Sequence, residues 1–206
     1  MSRVLIINGN PKSHSLCHSL AERYCQVAET QHEVQVLHVG ELNFELDLKQ
    51  GFDEVQPLEP DLKMVQQQLT WAEHIVLVTP VWWGSMPARL KGLFDRILLP
   101  GYAFKYIEGK TWPEQLLIGR TSELVVTLDT PVWWHKWFQG NPMAKQLKHT
   151  ILEFVGIKVR SVRFFGPTMS ANTEQIQKWI NSVDRLAVKL PVSSVSTASG
   201  ASGSSS

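Results

Sequence analysis

The sequence contains little cysteine, and this scarcity bears on where the protein works. Cys17 and Cys25 are the only cysteines among 206 residues, and both fall in one predicted helix. Eight positions along a regular helix is too far for a disulfide bond, so the chain lacks the disulfide framework of a small secreted domain. We therefore expect a reducing, cytoplasmic location.

The sequence also lacks excess charge and long apolar runs. Lys and Arg number 20 and Asp and Glu number 19, which leaves a formal net charge of +1. Duplex binding depends on neutralising phosphates with surplus Lys and Arg, so no nucleic-acid partner is expected. No segment approaches the roughly 20 apolar residues that a spanning helix needs, so we expect no integral membrane segment.

Several common catalytic motifs are missing as well. The sequence has neither G-x-G-x-x-G nor G-x-x-x-x-G-K-[ST], which argues against a dinucleotide-binding Rossmann site and a Walker nucleotide site. No Ser-His-Asp, paired-carboxylate or metal-ligand arrangement with suitable spacing is visible. No metal site is therefore predicted.

What the sequence does contain is a regular alternation of strand and helix patterns. Short apolar runs predict strands at 3–7, 33–39, 74–78, 124–128 and 159–165, the second being typical of an edge strand. Apolar residues at helical spacing predict helices at 15–31, 61–72, 87–98, 143–154 and 174–190. Five such units predict an α/β fold, a flavodoxin-like doubly wound five-stranded parallel sheet of order 2-1-3-4-5 with helices on both faces.

The predicted domain covers residues 1–190. Residues 191–206 are dominated by Ser, Gly and Ala, a composition that cannot bury apolar surface, so we expect a disordered tail or a linker there. Two connections, at 40–60 and 100–120, are long for a compact α/β domain. Loops of this length are usually functional or form interfaces.

Tryptophan is abundant, with 8 Trp against 3 Tyr, and four of the eight lie in a repeated loop. Thr-Pro-Val-Trp-Trp follows the third predicted strand at 79–83 and the fourth at 130–134. These strands neighbour the first in the predicted order, so all three loops should meet at the switch point where such sheets bind ligands. Paired Trp would suit a flat aromatic ligand. For the repeated arrangement we favour this interpretation over the alternatives, a hydrophobic cap on the sheet or a subunit interface.

The loop after the first strand is rich in small polar residues. Asn8-Gly9-Asn10-Pro11-Lys12-Ser13-His14-Ser15 ends at a predicted helix N-cap, where free backbone N–H groups and the helix dipole favour an anion. A plain capped turn would have the same composition. The position at the switch point favours an anion such as the phosphate of a ligand.

The segment at 79–96, TPVWWGSMPARLKGLFDR, followed by GYAF at 101–104, resembles the flavodoxin-fold NAD(P)H:quinone oxidoreductases. That family includes the DT-diaphorases, the modulator-of-drug-activity-B proteins and the regulators of potassium efflux. The resemblance implies a bound flavin, FMN with FAD as the alternative, which takes a hydride from NAD(P)H and passes it to a quinone or a similar small electrophile. It also implies a homodimer.

The resemblance assigns roles to residues of all three loops. The flavin phosphate would be held by Asn10, Ser13, Ser15, Leu16 and Cys17. The flavin ring would be lined by Pro80, Val81, Trp82, Trp83 and Gly84, with Asp129 and Thr130 at its pyrimidine side. Where the diaphorases have a Gly pair, this chain has Pro131 and Val132.

The substrate slot is expected beside the ring. Trp133 and Trp134 would form its wall, with Tyr102 or Phe104 supplied by a partner subunit, and His135 is the candidate for assisting proton transfer. Two alternatives remain open: a flavodoxin-type electron carrier, against which the balanced charge argues, and a regulatory flavoprotein subunit of a membrane ion-efflux system.

Overall fold

Seven strands define the fold in a computed structural model that describes residues 1–190. They are β1 (Arg3–Asn8), β2 (Glu33–His38), β3 (His74–Pro80), β4 (Phe104–Lys105), β5 (Glu114–Gln115), β6 (Thr121–Thr127) and β7 (Lys158–Phe165). Five of them pair in parallel in the order β2-β1-β3-β6-β7, and β4 and β5 form a separate antiparallel pair. The predicted fold and strand order are confirmed. The predicted tail, 191–206, lies outside the described residues.

Residues 1–190 also contain six α-helices. They are α1 (Leu16–Ala28), α2 (Pro60–Trp71), α3 (Ala88–Ile97), α4 (Val132–Trp137), α5 (Pro142–Lys145) and α6 (Thr173–Val188). After α5 the chain continues as a π-helical stretch (Gln146–Leu152) and a 3₁₀ turn (Glu153–Val155). Among residues 1–190, no helix is long and apolar enough to cross a membrane.

Side chains that alternate along the buried strands divide the core into two layers. In β1, Val4 and Ile6 pack with α1 and α6, whereas Leu5 and Ile7 pack with α2 and α3. All four are buried, which explains why β1 is a continuous apolar run instead of an alternating one. The edge position predicted for β2 is confirmed, since it pairs only with β1 in the sheet.

Two predictions about the connections need correction. The segment after β6 was predicted to be a loop, but 132–137 is a short helix. The helix predicted over 143–154 is α-helical only at its start and then widens into a π-helical stretch. Helical periodicity cannot distinguish these forms because each presents one apolar face.

The long connection between β2 and α2 is held to the body by a buried arginine. The Arg96 guanidinium on α3 is fully buried and donates to the carbonyl oxygens of Glu45 at 2.7 Å and Pro57 at 3.0 Å. It also pairs with the Glu59 carboxylate at 2.8 Å. Because a buried charge is costly without partners, this arginine fixes the path of the connection.

Replacing Arg96 tests this anchor. We expect Arg96→Ala to lower the free energy of unfolding by about 3 kcal/mol, because Glu59 and two carbonyl groups lose their donor. Glu59→Gln, which keeps an acceptor oxygen, should cost about 1 kcal/mol. Urea denaturation measures both; equal stability of Arg96→Ala and the parent chain would contradict the anchoring role.

The same pair predicts a pH dependence. Burial alone would raise the pKa of Glu59, but the Glu45 backbone N–H and the Arg96 guanidinium outweigh it and lower the pKa below its ordinary value. A lowered carboxyl pKa contributes stability that is present above the unfolded value and is lost as pH falls through the folded value. The stability gap between the parent chain and Glu59→Gln should therefore narrow below about pH 4.

Candidate active site

Hydrogen bonds join the ends of three neighbouring strands at the carboxyl edge of the sheet. The Gly9 N–H after β1 donates to the Val78 carbonyl oxygen at 2.8 Å, and the Val81 N–H after β3 donates to the Thr127 carbonyl oxygen at 2.8 Å. The Thr127 hydroxyl also lies 3.2 Å from the Cys17 Sγ at the start of α1. The loops after β1, β3 and β6 therefore meet, as predicted.

The loop after β1 ends in a capped helix. Ser15 is the N-cap of α1, and its hydroxyl accepts a hydrogen bond from the His18 N–H at 3.2 Å. The N–H groups of Leu16 and Cys17, in the first turn, have no intrahelical acceptor. Together with the exposed Lys12 and Ser13, they form a donor set that suits a phosphate.

Asparagine side chains fix the shape of this loop from within. The Asn8 Oδ1 accepts from the Asn10 N–H at 3.1 Å, and the Asn10 Oδ1 accepts from the Lys12 N–H at 3.0 Å. Such Asx turns hold a tight loop without regular secondary structure. A Cβ placed on Gly40 would lie 2.5 Å from the Pro11 carbonyl oxygen, so the neighbouring chain can approach the loop only because position 40 is glycine.

The loop after β3 contains a tight two-residue turn. Trp82 and Ser85 exchange backbone hydrogen bonds at 2.8 and 2.9 Å, and the two residues between them, Trp83 and Gly84, have φ values of 52° and 77°. This is the backbone of a type I′ turn, in which Asn-Gly is the favoured pair. Trp83 is fully exposed at 104%, so packing does not offset the strain of its left-handed backbone.

The loop after β6 leads into an exposed aromatic cluster. Trp133, Trp134 and Phe138 are 57%, 41% and 69% exposed. The rings of Trp134 and Phe138 stack with centroids 4.4 Å apart, and Trp133 meets Trp134 edge-on at 5.8 Å. The Trp residues thus present flat apolar faces beside the sheet edge.

Asp129 and Thr130 occupy the start of the same loop. The Asp129 carboxylate accepts a hydrogen bond from the Thr168 hydroxyl, and the Thr168 N–H donates to the Leu128 carbonyl oxygen at 3.0 Å. Asp129 is exposed and Thr130 half-buried. Both therefore lie at the sheet edge, tied to the segment that follows β7.

Three residues expected at the slot, His135, Tyr102 and Phe104, lie away from Trp133 and Trp134 within a single chain. His135 is 0% exposed; its ring faces Phe164, and its Nδ1 contacts the Gln139 Oε1 at 2.8 Å. The Tyr102 hydroxyl donates to the Gln66 carbonyl oxygen of α2 at 2.7 Å, and Tyr102 shares a cavity with Arg3 at the amino edge of the sheet. Phe104 is buried in its own chain. Within one chain, therefore, none of them lines the slot beside Trp133 and Trp134.

Phe104 belongs instead to a separate cavity of about 340 Å³ beside α3. Its lining includes Phe52, Phe94, Tyr106 and Phe154. None of the three loops at the carboxyl edge contributes to this lining. Among residues 1–190, no group of three or more His, Cys, Asp or Glu side chains could hold a metal ion.

The feature that sequence reasoning missed is a contact between two residues of distant segments. Asn8 and His38 lie side by side at the ends of β1 and β2, and their side chains are 3.2 Å apart. A polar residue closing an otherwise apolar strand was a usable signal for Asn8. His38 had no signal, because its partner stands thirty positions earlier in the chain.

The fold and these loops define a flavodoxin-type ligand-binding domain, and comparison with known proteins agrees. Residues 2–186 match the family described as having a flavodoxin-like fold, and the chain belongs to that family. The chain is 29% identical over 174 residues to an uncharacterized NAD(P)H oxidoreductase of Haemophilus influenzae, covering 79% of this chain and 82% of that protein. The resemblance to flavodoxin-fold NAD(P)H:quinone oxidoreductases is confirmed.

Other relatives are longer or more distant. The ribosyldihydronicotinamide dehydrogenase-like protein traD of Penicillium crustosum is 28% identical over 152 residues, which span 61% of this chain and 57% of that protein. The NAD(P)H:quinone oxidoreductase of Methanothermobacter marburgensis superposes with a TM-score of 0.78 at 20% identity, covering 92% of this chain and 99% of that one. An FMN-dependent NADH-azoreductase of Bacillus anthracis, solved with FMN, gives 0.72 at 20%, covering 91% and 98%. At 20% identity, these two structural matches show that this chain shares their fold.

The residues present fit FMN. The first turn of α1 offers unpaired N–H groups and the Ser15 cap, a donor set of the right chemistry for a phosphate monoester. Trp82 and Trp83 project from the adjacent turn with exposed rings, which suits the flat ring of a flavin. The predicted binding residues of the loops after β1 and β3 are thus brought to one edge.

The cysteines give a chemical test of this packing. Burial raises the pKa of Cys17 to about 11 and that of Cys25, beside Glu29, to about 12, so both remain thiols at neutral pH. Since the thiolate is the reactive form, neither should be alkylated by iodoacetamide in the folded chain at pH 7.5. Both should react in denaturant. Mass spectrometry counts the adducts, and rapid labelling of Cys17 in the folded chain would contradict its placement beneath the loop.

Proposed function

We propose that this protein is an FMN-dependent NAD(P)H oxidoreductase that transfers a hydride, through the bound flavin, to quinones or similar small electrophiles. The observation that carries the proposal is the meeting, at one sheet edge, of anion-binding amides and exposed Trp rings. The relatives bear oxidoreductase names, and the chain is an oxidoreductase of this flavoprotein family. Those names favour the enzyme over an electron carrier or a transporter subunit.

Each loop has a separable task in this proposal. The first turn of α1, with Ser13 and Ser15, binds the phosphate. The turn at 82–85 holds one edge of the ring, and Asp129 and Thr130 hold its polar side. When bound, FMN accepts a hydride from the nicotinamide and delivers it to the acceptor.

The aromatic cluster on α4 orients flat substrates. Trp133 and Trp134 offer rigid apolar faces that exclude water and align an aromatic acceptor by stacking. His135 is assigned no proton transfer, because its buried ring faces Phe164 and away from solvent. It fixes α4 through the Gln139 side chain, so it supports the Trp residues that precede it.

We further propose that the protein forms a homodimer. Phe52, Tyr106 and Trp112 are 57%, 66% and 76% exposed, and the first two line the cavity beside α3. Exposed aromatic surface of this kind is typical of a protein–protein interface. The contribution of Tyr102 or Phe104 to a partner's slot stays a prediction. The cytoplasmic location also remains a prediction.

Cofactor analysis tests the central part of this proposal. The purified chain should be yellow or should bind added FMN in a 1:1 ratio, and it should oxidise NADH or NADPH only when menadione or an azo dye is supplied. The phosphate-free riboflavin should bind at least about tenfold more weakly, since it forgoes charge-assisted hydrogen bonds. A colourless chain that binds neither flavin would contradict the proposal.

The strained Trp83 gives a sharper test. In Trp83→Asn the type I′ turn receives its preferred Asn-Gly pair, so the flavin-free chain should become about 1 kcal/mol more stable. FMN binding should weaken because a ring face is lost. The control is Val55→Asn, which replaces another exposed apolar side chain, 94% exposed, outside the three loops and should leave FMN affinity unchanged. Equal FMN affinity of both variants and the parent would argue against ring contact by Trp83.

A further inference from the structure

A chain of hydrogen bonds runs from α1 to the loop after β1. The Glu22 Oε1 on α1 lies 3.2 Å from the His38 Nε2 at the end of β2. The His38 Nδ1 lies 3.2 Å from the Asn8 Nδ2, and the Asn8 Oδ1 accepts from the Asn10 N–H at 3.1 Å. The four residues thus link a carboxylate to the backbone of the loop.

The backbone fixes the direction of every bond in this chain. A backbone N–H can only donate, so the Asn8 atom facing Asn10 is the amide oxygen, and the Asn8 NH₂ faces His38. The NH₂ group can only donate, so the His38 Nδ1 must accept and carries no proton. The proton of neutral His38 then sits on Nε2, where it is donated to Glu22.

The Asn8 end of this arrangement is enclosed, whereas the Glu22 side chain is 43% exposed. Asn8 and Asn10 are 1% and 8% exposed, and the His38 side chain is 18% exposed. The His18 ring, also on α1, stacks on the His38 ring with centroids 4.6 Å apart. Water therefore has little access to replace a lost hydrogen bond at Asn8.

We propose that His38 is a positioning residue for the phosphate-binding loop, holding Asn8 and Asn10 in their binding geometry only while its imidazole is neutral. The proposal rests on the proposed function, since it takes the loop after β1 as the site of the FMN phosphate. Under this proposal, the affinity for FMN falls on acidification because His38 gains a proton.

Protonation of His38 places two donors face to face. The new Nδ1–H points at the Asn8 NH₂, and rotating the Asn8 amide only moves the conflict, because its NH₂ then faces the Asn10 N–H. Of the titratable side chains in contact with His38 within residues 1–190, Glu22 favours the charged ring and His18 opposes it. From β1, the group that faces His38 is the neutral side-chain amide of Asn8. Either orientation leaves a buried donor without a partner, and the loop must shift.

His38→Gln separates this effect from the titration of FMN itself, whose phosphate also gains a proton near pH 6. Glutamine offers an oxygen to Asn8 and an NH₂ to Glu22, as neutral histidine does, but it cannot be protonated. At pH 8 the variant should bind FMN like the parent. Between pH 8 and pH 5.5 the parent should lose about tenfold more affinity than His38→Gln, as expected for one unpaired buried donor.

The measurement is quenching of flavin fluorescence, with riboflavin as a parallel ligand and circular dichroism as a check on folding. His38→Leu, which offers no acceptor, should bind FMN weakly at every pH. Identical pH profiles for the parent and His38→Gln, or an equal loss for riboflavin, would overturn the proposal. If the parent binds no FMN even at pH 8, the proposed function fails instead.

A second readout requires no flavin. In ¹H–¹⁵N NMR spectra of the free chain, the Asn10 amide resonance should move as the pH is lowered from 8 to 5.5. In His38→Gln the same amide should not move. An Asn10 amide that ignores pH in the parent, or that titrates equally in both proteins, would overturn the proposal whether or not FMN binds.

Discussion

The parallel pairing of buried strands is the constraint on which the site depends. Because β1, β3 and β6 run in the same direction with a fixed register, their carboxyl ends coincide, and the backbone N–H of Val81 can reach the carbonyl oxygen of Thr127. After β1, the chain places β2 on one side of it and then crosses to place β3 on the other side. This change of direction opens a crevice at the carboxyl edge between β1 and β3. The apolar content of the strands therefore determines where polar ligand-binding loops meet.

Stability and binding make opposite demands at this edge. Trp83 adopts a left-handed backbone that no packing offsets, since its side chain is wholly exposed. Asn8 is buried in the core, where its side-chain amide contacts the His38 ring and the Asn10 N–H. Costs of this kind are typical of functional loops held by a rigid scaffold. The rigid part is supplied by the two apolar layers and by the Arg96 anchor.

Much of the fold was predictable from the sequence, because buried parallel strands leave unbroken apolar runs such as Val4 to Ile7. The convergence of the Trp-containing loops followed from strand order alone. The positions of the Tyr102 and His135 side chains did not follow from strand order. The direction of a loop side chain depends on partners far along the chain, here the Gln66 carbonyl and the Phe164 ring. The π-helical stretch after α5 could not be predicted either, because several helical forms present the same single apolar face.

The central claim, that the three loops at the carboxyl edge bind FMN, is tested most directly by amide chemical-shift mapping as FMN is added. The largest changes should fall at the first turn of α1, near Leu16 and Cys17, and at the turn containing Trp83 and Gly84. Residues lining the cavity beside α3, such as Phe94 and Phe154, should be unaffected. Changes concentrated around that cavity, with the loops unmoved, would contradict the account.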